Sequence, residues 1–367
     1  MINVFHIVSN KIWGGPEQYS FDVIRHMLHD DYYVEVVCRH NDAIVKRFRS
    51  LEIPVSTLPL KGPTDIDSSI RLARLLKKGK NVIHVHSFSD AFAAILAKHL
   101  SENPETHVVM TLHHVKKPYN NYLFRKFYDE IDRFIFPSQL TYDLFTSTAK
   151  KFDTRKACII RESVPAPSAD GDATAVPDLR KKLGVAPGQS LIMFHGRLCH
   201  EKGIDVALRA LTQLDKNTFK MAVIGSGNHK FEAQLKGFIV ANQLVRNVSF
   251  LGFNDNVLPL IAQCDFGVLP SVVPEAMGLA NLEYMIQGKA HITTDNGAQK
   301  EYVTNGSNGL LVTPGNYFET AQAIKTLIDD KSLCQRLGSQ AQADFRQNLS
   351  YTHFYSSLNA LYHSFFS

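Results

Sequence analysis

Two glutamates separated by seven residues, Glu275 and Glu283, bracket a glycine and a short apolar run in Pro270-Ser-Val-Val-Pro-Glu-Ala-Met-Gly-Leu-Ala-Asn-Leu-Glu-Tyr-Met. The pattern predicts a helix that starts near Leu279 and stops at Gly288. The unpaired amides of Gly278, Leu279 and Ala280 would then point out of a helix N-terminus, where backbone donors and macrodipole together favour a phosphate. Gly278, lacking a Cβ, lets that phosphate approach the backbone. Glu283, about one turn further in, is spaced to accept hydrogen bonds from a vicinal diol such as a ribose offers. Glu275, ahead of the helix, could hold a hexose hydroxyl. Taken alone, both glutamates also suit an ordinary helix start, whose dipole welcomes carboxylates without any ligand.

A second group lies upstream in Phe194-His-Gly-Arg-Leu-Cys-His-Glu-Lys-Gly203, followed by Ile224-Gly-Ser-Gly227 and Val248-Ser-Phe-Leu-Gly-Phe253. With the E-x7-E pair, the Pro-Ser before it and Gly278 three residues after the first glutamate, these segments resemble the retaining glycosyltransferases of family four, which have the GT-B fold. The resemblance implies that Arg197 and Lys202 clamp a donor diphosphate, two fixed cations taking up the charge of the leaving group without a metal. It implies donor-side roles for Gly225, Gly278, Leu279, Ala280 and Glu283, and a place beside the reacting sugar for Glu275. In the first half, Trp13-Gly14-Gly15-Pro16 is similar to a family loop near donor phosphate and acceptor. His113, with His114 as the alternative, matches a histidine beside the transferred sugar. His86 also matches a family position but is read as structural. Where many members carry Asn-Gly, this chain has Arg161-Glu-Ser-Val164.

These residues need strands that end at them. Short β-rich runs, Val4–Val8, Val34–Cys38, Val82–Val85, Val108–Leu112 and Phe134–Pro137, alternate with helical stretches such as Ser20–Leu28 and Ile70–Lys78. A second series follows: Leu191–Phe194, Met221–Ile224, Val248–Leu251, Phe266–Leu269 and Ala290–Thr293, with helices over Asp205–Leu211 and His229–Ala241. Alternation of this kind predicts mostly parallel, doubly wound sheets, with ligands at the carboxyl ends of the strands. The fold class expected is α/β, with two Rossmann-like domains facing across a cleft. Their expected limits are 1–165, a linker over 166–188 rich in Pro, Ala, Asp and Gly, 189–345, and a last helix over 346–367 that returns to the first domain. At 367 residues the chain exceeds what one core usually organises.

Composition excludes several classes. The chain is 44% hydrophobic and 20% charged, unlike a disordered protein. Its five cysteines are scattered without a Cys-x-x-Cys pair, which suits a reducing compartment and argues against structural zinc. The start reads as a first strand and not as a signal peptide, and no apolar run approaches a membrane span. The expected location is the cytoplasm, with the inner membrane face as an open alternative, because residues 1–165 carry 23 Lys and Arg against 18 Asp and Glu while the remainder is balanced at 17 each. The basic and aromatic stretch Lys116-Lys-Pro-Tyr-Asn-Asn-Tyr-Leu-Phe-Arg-Lys-Phe-Tyr suits an acceptor site, a membrane surface or a core-facing helix. No nucleic-acid module is recognisable. Two Asp-x-Asp triplets, Asp65-Ile-Asp67 and Asp170-Gly-Asp172, read as polar loops and not as metal ligands.

The function expected is transfer of a hexose or related sugar from a UDP- or GDP-sugar to a hydroxyl of a polysaccharide or lipid-linked glycan, with retention and with no metal or other cofactor. An epimerase or hydrolase using the same donor pocket, and a catalytically silent nucleotide-sugar-binding subunit, are the alternatives.

Overall fold

The computed structural model describes residues 1–62, 65–76, 78–166 and 178–367. It divides into two compact units: residues 1–162 with 352–367, and residues 163–351. The Asp170-Gly-Asp172 triplet and residues 167–177 of the expected linker lie outside the described residues.

The first unit runs β1 (Ile2–Val8), α1 (Gly15–Met27), β2 (Tyr32–Arg39), α2 (Asp42–Arg49), β3 (Val55–Leu58), α3 (Ile66–Leu75), β4 (Asn81–Val85), α4 (Phe88–Ser101), β5 (Thr106–Thr111), α5 (Tyr122–Glu130), β6 (Arg133–Phe136), α6 (Gln139–Thr148) and β7 (Ala157–Ile159). Among the described residues the strands form one sheet ordered β3-β2-β1-β4-β5-β6-β7, parallel throughout. Strands covered on both faces are largely apolar, and all seven residues of β1 and all five of β4 are buried, with the polar Asn3 donating to Asn81 across the two strands. At the carboxyl ends polar residues take over to start the next helix. Ser87 and Ser138, each two residues beyond the end of its strand, β4 and β6, accept the amides of Asp90 and Thr141 as N-caps.

The second unit runs α7 (Leu179–Lys182), β8 (Ser190–His195), α8 (Ile204–Leu211), β9 (Phe219–Ile224), α9 (His229–Ala241), β10 (Val248–Gly252), α10 (Leu258–Ile261), β11 (Phe266–Leu269), α11 (Leu279–Ile286), β12 (Ala290–Thr294), β13 (Leu310–Val312), α12 (Tyr317–Asp329) and α13 (Lys331–Asn348). Its parallel sheet is ordered β10-β9-β8-β11-β12-β13 among the described residues. A last helix, α14 (Tyr351–His363), supplies residues 352–367 to the first unit. There Tyr362 is fully buried and its hydroxyl meets His84 Nδ1 at 2.6 Å, while Tyr32 hydrogen-bonds Asn359.

The structure departs from sequence expectation at short edge elements. β3, β7 and β13 are three or four residues long and only partly buried, too short for their apolar residues to read as a strand. The expected helix Ile70–Lys78 begins four residues earlier, at Ile66, because Asp65 caps it by accepting the Ser68 amide. Asp67 pairs with Arg71 one turn on, so this Asp-x-Asp triplet serves a helix start. The turn Leu179–Lys182, expected as linker, belongs to the second unit, where Leu179 is buried in the core and its amide donates to Gln263.

In the second unit one close backbone approach fixes the loops that follow β8 and β11. Gly203 has φ +71°, and a Cβ there would stand 1.9 Å from the carbonyl oxygen of Pro270. The Val272 amide donates to the Glu201 carbonyl at 2.9 Å. Gly203→Ala therefore meets both a left-handed φ and a backbone clash, and should cost about 2–4 kcal/mol. Gly237, inside α9 with open space around it, is the control. Gly237→Ala should stabilise by about 0.5–1 kcal/mol. Urea unfolding of the two variants tests the contrast, and equal midpoints would refute it.

Four histidines are buried without charge, and this predicts acid lability. Burial lowers His6 to about 3 and His291 to about 4, and holds His84 and His86 well below the ordinary value. Above pH 6.5 these rings are neutral in both folded and unfolded chains and cost nothing. Below it the unfolded chain takes up protons that the folded chain refuses, so stability falls with pH, by up to about 1.4 kcal/mol per unit for each histidine. Urea midpoints measured at pH 7.5 and pH 5 should drop steeply, and a flat profile would contradict the burial.

Candidate active site

In the second unit, Phe194, His195, Gly196, Lys202, Leu269, Ser271, Glu275, Gly278, Ala280 and Asn281 line a pocket of about 330 Å³, part of it open to solvent. It forms where β8, β11 and the start of α11 meet. The Gly203–Pro270 contact lays the loop carrying Lys202 along the loop carrying Glu275, and Lys202 Nζ reaches both carboxylate oxygens of Glu275, at 2.7 and 2.8 Å. Ser271 Oγ donates to Glu275 Oε1 at 2.6 Å. An ammonium has three protons, so the third remains for another acceptor.

The loop from Ser271 to Glu275 is braced from behind by the end of β12. Thr294 Oγ1 donates to the Ser271 carbonyl, Asn296 Nδ2 to the Val272 carbonyl, and the Ala298 amide to the Glu275 carbonyl. Gly297 permits this, since a Cβ there would lie 2.5 Å from the Glu275 amide nitrogen. Gly278 takes φ +80° as the N-cap of α11, and no side chain caps the helix. The first-turn amides at Leu279 and Ala280 are thus left to a ligand's oxygens. Leu279 is half-buried against Met277, Leu282 and their neighbours.

Glu283 stands one turn in, and His195 holds it: Nε2 lies 2.5 Å from Glu283 Oε2, while Nδ1 lies 2.9 Å from the Tyr284 hydroxyl. That hydroxyl donates to the Met193 carbonyl at 3.0 Å. Tyr284 lies flat on β11, where a Cβ on Gly267 would come 2.3 Å from its ring. His195, Ser271, Thr294, Asn296 and Gly297 were not among the residues expected from sequence. His195 was within reach, sitting two residues before Arg197 in a motif already singled out. Thr294 and Asn296 act through hydroxyl and amide contacts that leave no pattern.

Arg197 is exposed on the loop after β8. Gly225 positions that loop: with φ +139°, a Cβ there would stand 1.9 Å from the Gly196 carbonyl oxygen, and Leu198 donates its amide to the Ser226 carbonyl. Within this chain Gly225 therefore has a packing role.

The first unit gathers a separate cluster at the carboxyl ends of β1, β4 and β5. The register pairs His6 with His84 across adjacent strands, and His86 follows two residues later on the same face. His86 Nδ1 lies 3.0 Å from His113 Nε2, and His113 Nδ1 lies 2.5 Å from Glu162 Oε1. The side chains of His113 and Glu162 are each 5% exposed. Glu17 takes the Gly14 amide at 2.9 Å and Asn10 Nδ2 at 2.6 Å, and burial raises its carboxyl above the ordinary value. Nothing lies within 4 Å of a Cβ built on Gly15, and one on Gly14 would meet only the Glu17 carboxylate, at 3.3 Å. Packing thus does not demand a glycine at residue 15. His114 is exposed. Glu17 and Glu162 went unread as site residues, because a buried carboxylate at a helix start or in a loop has no sequence signature of its own, and His86, which matches a family position, was read as structural.

Comparison with known proteins follows the same division. The chain covers 99% of its own length and 100% of that of the Anabaena Alr3699/HepE structure solved in complex with UDP and glucose, at a TM-score of 0.85 and 20% identity, which establishes the fold. It is 28% identical over 177 residues to an uncharacterized glycosyltransferase of Methanocaldococcus jannaschii, covering 47% of this chain and 45% of the relative. It is 29% identical over 183 residues to the lipopolysaccharide core biosynthesis mannosyltransferase LpcC of Rhizobium leguminosarum bv. viciae, covering 48% and 52%. The chain spans about half the length of the curated relatives it matches. Residues 13–162 match the model for glycosyltransferase family 4, and residues 176–344 match that for glycosyl transferases group 1. With both units accounted for by these two matches, the chain belongs to the group 1 glycosyltransferases.

Proposed function

We propose that this chain transfers a hexose from a UDP- or GDP-sugar to a hydroxyl of a glycan or lipid-linked acceptor, with retention of configuration and without a metal. The observation that carries the reading is the pocket of the second unit, where one ammonium, the Glu275 carboxylate that orients it and an uncapped helix N-terminus converge. The Anabaena relative of the same fold was solved with UDP-glucose, which supports a nucleotide sugar as the ligand of such a pocket.

The chemistry follows from charge. Breaking a bond between sugar and diphosphate leaves negative charge on the phosphate oxygens. Lys202, Arg197 and the amides of Leu279 and Ala280 are the groups available to stabilise it. Lys202 is already oriented by Glu275, so little reorganisation is needed when that charge develops. Glu283, oriented by His195, is assigned the ribose diol, and Glu275 a hydroxyl of the hexose. The departing phosphate can itself accept the proton of the incoming hydroxyl, so no separate strong base is required.

The first unit is assigned to the acceptor. Its α5 exposes Tyr122 (75%) and Leu123 (65%) next to Lys116, which lies 4.7 Å from the Tyr119 ring centroid and hydrogen-bonds its hydroxyl. Exposed aromatic and aliphatic groups beside lysines suit a lipid-linked acceptor at an anionic bilayer surface. Among the described residues no helix is long and apolar enough to cross a membrane.

Calorimetric titration with UDP, GDP and their sugars in the presence of chelator should show one nucleotide binding the wild-type chain. Glu283→Ala should weaken that binding by about tenfold or more, the loss of a charged hydrogen-bond acceptor. Binding without turnover would bring forward the silent-subunit reading, and no binding by any nucleotide would remove the support for every reading that uses a nucleotide sugar. Lys202→Ala should lower kcat/KM by about 10²–10³ while leaving the fold intact. NMR of the product made in chelator should show the donor's anomeric configuration. An inverted product, or activity abolished by chelator, would overturn the mechanism, and turnover that needs no acceptor would point to a hydrolase or epimerase.

A further inference from the structure

A trans peptide carries its carbonyl and the following amide on opposite sides, so a group that holds one of them aims the other. The peptide from Met277 to Gly278 is trans and lies just ahead of α11. Its carbonyl oxygen accepts a hydrogen bond from the Tyr302 hydroxyl at 2.6 Å. Burial pushes the Tyr302 phenol up from its ordinary value, so the hydroxyl keeps the proton it donates. With that proton committed, the phenol oxygen can only accept, and Asn281 Nδ2 reaches it at 3.4 Å while also reaching Thr293 Oγ1 at 3.3 Å. The Gly278 carbonyl, 3.3 Å from the same hydroxyl, takes the Asn281 amide at 2.8 Å. Tyr302 packs with Met277, Leu282 and Met285 and does not line the pocket, whereas Gly278 does. The Met277 carbonyl is therefore turned away from the pocket and the Gly278 amide toward it. That amide has no acceptor among the described residues.

We propose that Tyr302 is the positioning residue of the Met277–Gly278 peptide, and that the Gly278 amide so aimed donates to the β-phosphate of a nucleoside diphosphate. The β-phosphate is the one next to the sugar. A Cβ on Gly278 would stand 3.6 Å from the Glu275 Cβ, on the side assigned to the hexose, whereas Glu283, assigned to the ribose, stands further along α11. A side chain at this residue is opposed twice, by the φ of +80° and by the Tyr302 hydroxyl, 3.1 Å from where a Cβ would be. A peptide anchored through its carbonyl does not flip as charge grows on the leaving phosphate, so the donor is in place before the bond breaks. The choice of a diphosphate rests on the function proposed above, whereas the orientation of the peptide does not.

Met277-Gly278 is the only Met-Gly step in the sequence, so protein labelled with carbonyl-carbon-13 methionine and nitrogen-15 glycine gives a single carbonyl–amide NMR correlation. In the wild-type chain its amide proton should move downfield on saturation with UDP or GDP, as a hydrogen bond to an anion requires, and stay nearly still with the matching monophosphate. Tyr302→Phe removes only the hydroxyl. It should shift the carbonyl resonance and weaken diphosphate binding by about tenfold, the loss of one charge-assisted contact, with monophosphate binding unchanged. A wild-type Gly278 amide that ignores a bound diphosphate overturns the proposal, whether or not the variant folds. So does a carbonyl resonance unmoved in Tyr302→Phe. Equal weakening of diphosphate and monophosphate marks a merely structural hydroxyl and overturns the positioning role. If no nucleotide binds the wild-type chain, the proposed function fails. Pyrophosphate alone is then titrated: a Gly278 amide that moves supports the anion contact, and one that stays still overturns it.

Discussion

The pocket of the second unit depends on one steric constraint, the absence of a side chain at Gly203. There the chain turns out of the loop after β8 and presses its backbone against the carbonyl of Pro270, and any Cβ would collide with it. That approach brings Lys202 within reach of Glu275, and Glu275 in turn fixes the ammonium with both oxygens. Backbone contacts cannot be repacked as side chains can, so the spacing of the cation from the helix N-terminus is set by the main chain. Glycines at 225, 267 and 297 repeat the device, each opening room for a neighbouring backbone or ring.

Carboxylate–histidine pairs recur in both units. In the second, His195 steadies Glu283 and is itself fixed by Tyr284 and Met193. In the first, the Glu162 carboxylate lies against His113, and His86, at the other nitrogen of that ring, is itself held by Ser20. In each case the outer partner is a hydroxyl whose proton is already committed to a backbone carbonyl, and this removes the freedom of the imidazole to change tautomer. Groups so constrained lose little entropy when a ligand arrives. The cost is a set of neutral, buried histidines, and a fold that weakens as the unfolded chain begins to bind protons.

The sequence by itself determined the alternation of strand and helix in both halves, because strands covered on both faces are rich in apolar residues and the helices between them are amphipathic. The helix start at Gly278 and Ala280 was legible from the residues themselves, whereas Lys202 was singled out through the family resemblance, and the structure gathers these residues with Glu275 around one pocket. The sequence did not disclose β3, β7 or β13, too short and too exposed to carry a pattern, nor that Leu179–Lys182 packs into a core. Only the tertiary structure decided which side chains meet across strands. His6 and His84 are 78 residues apart and become neighbours by sheet register. Glu162 reaches His113 from beyond β7, Thr294 and Asn296 brace a loop more than twenty residues before them, and Tyr284 orders His195 from another element. Hydrogen bonds of this kind are set by distances between elements, and a linear pattern of residue types holds no record of such distances.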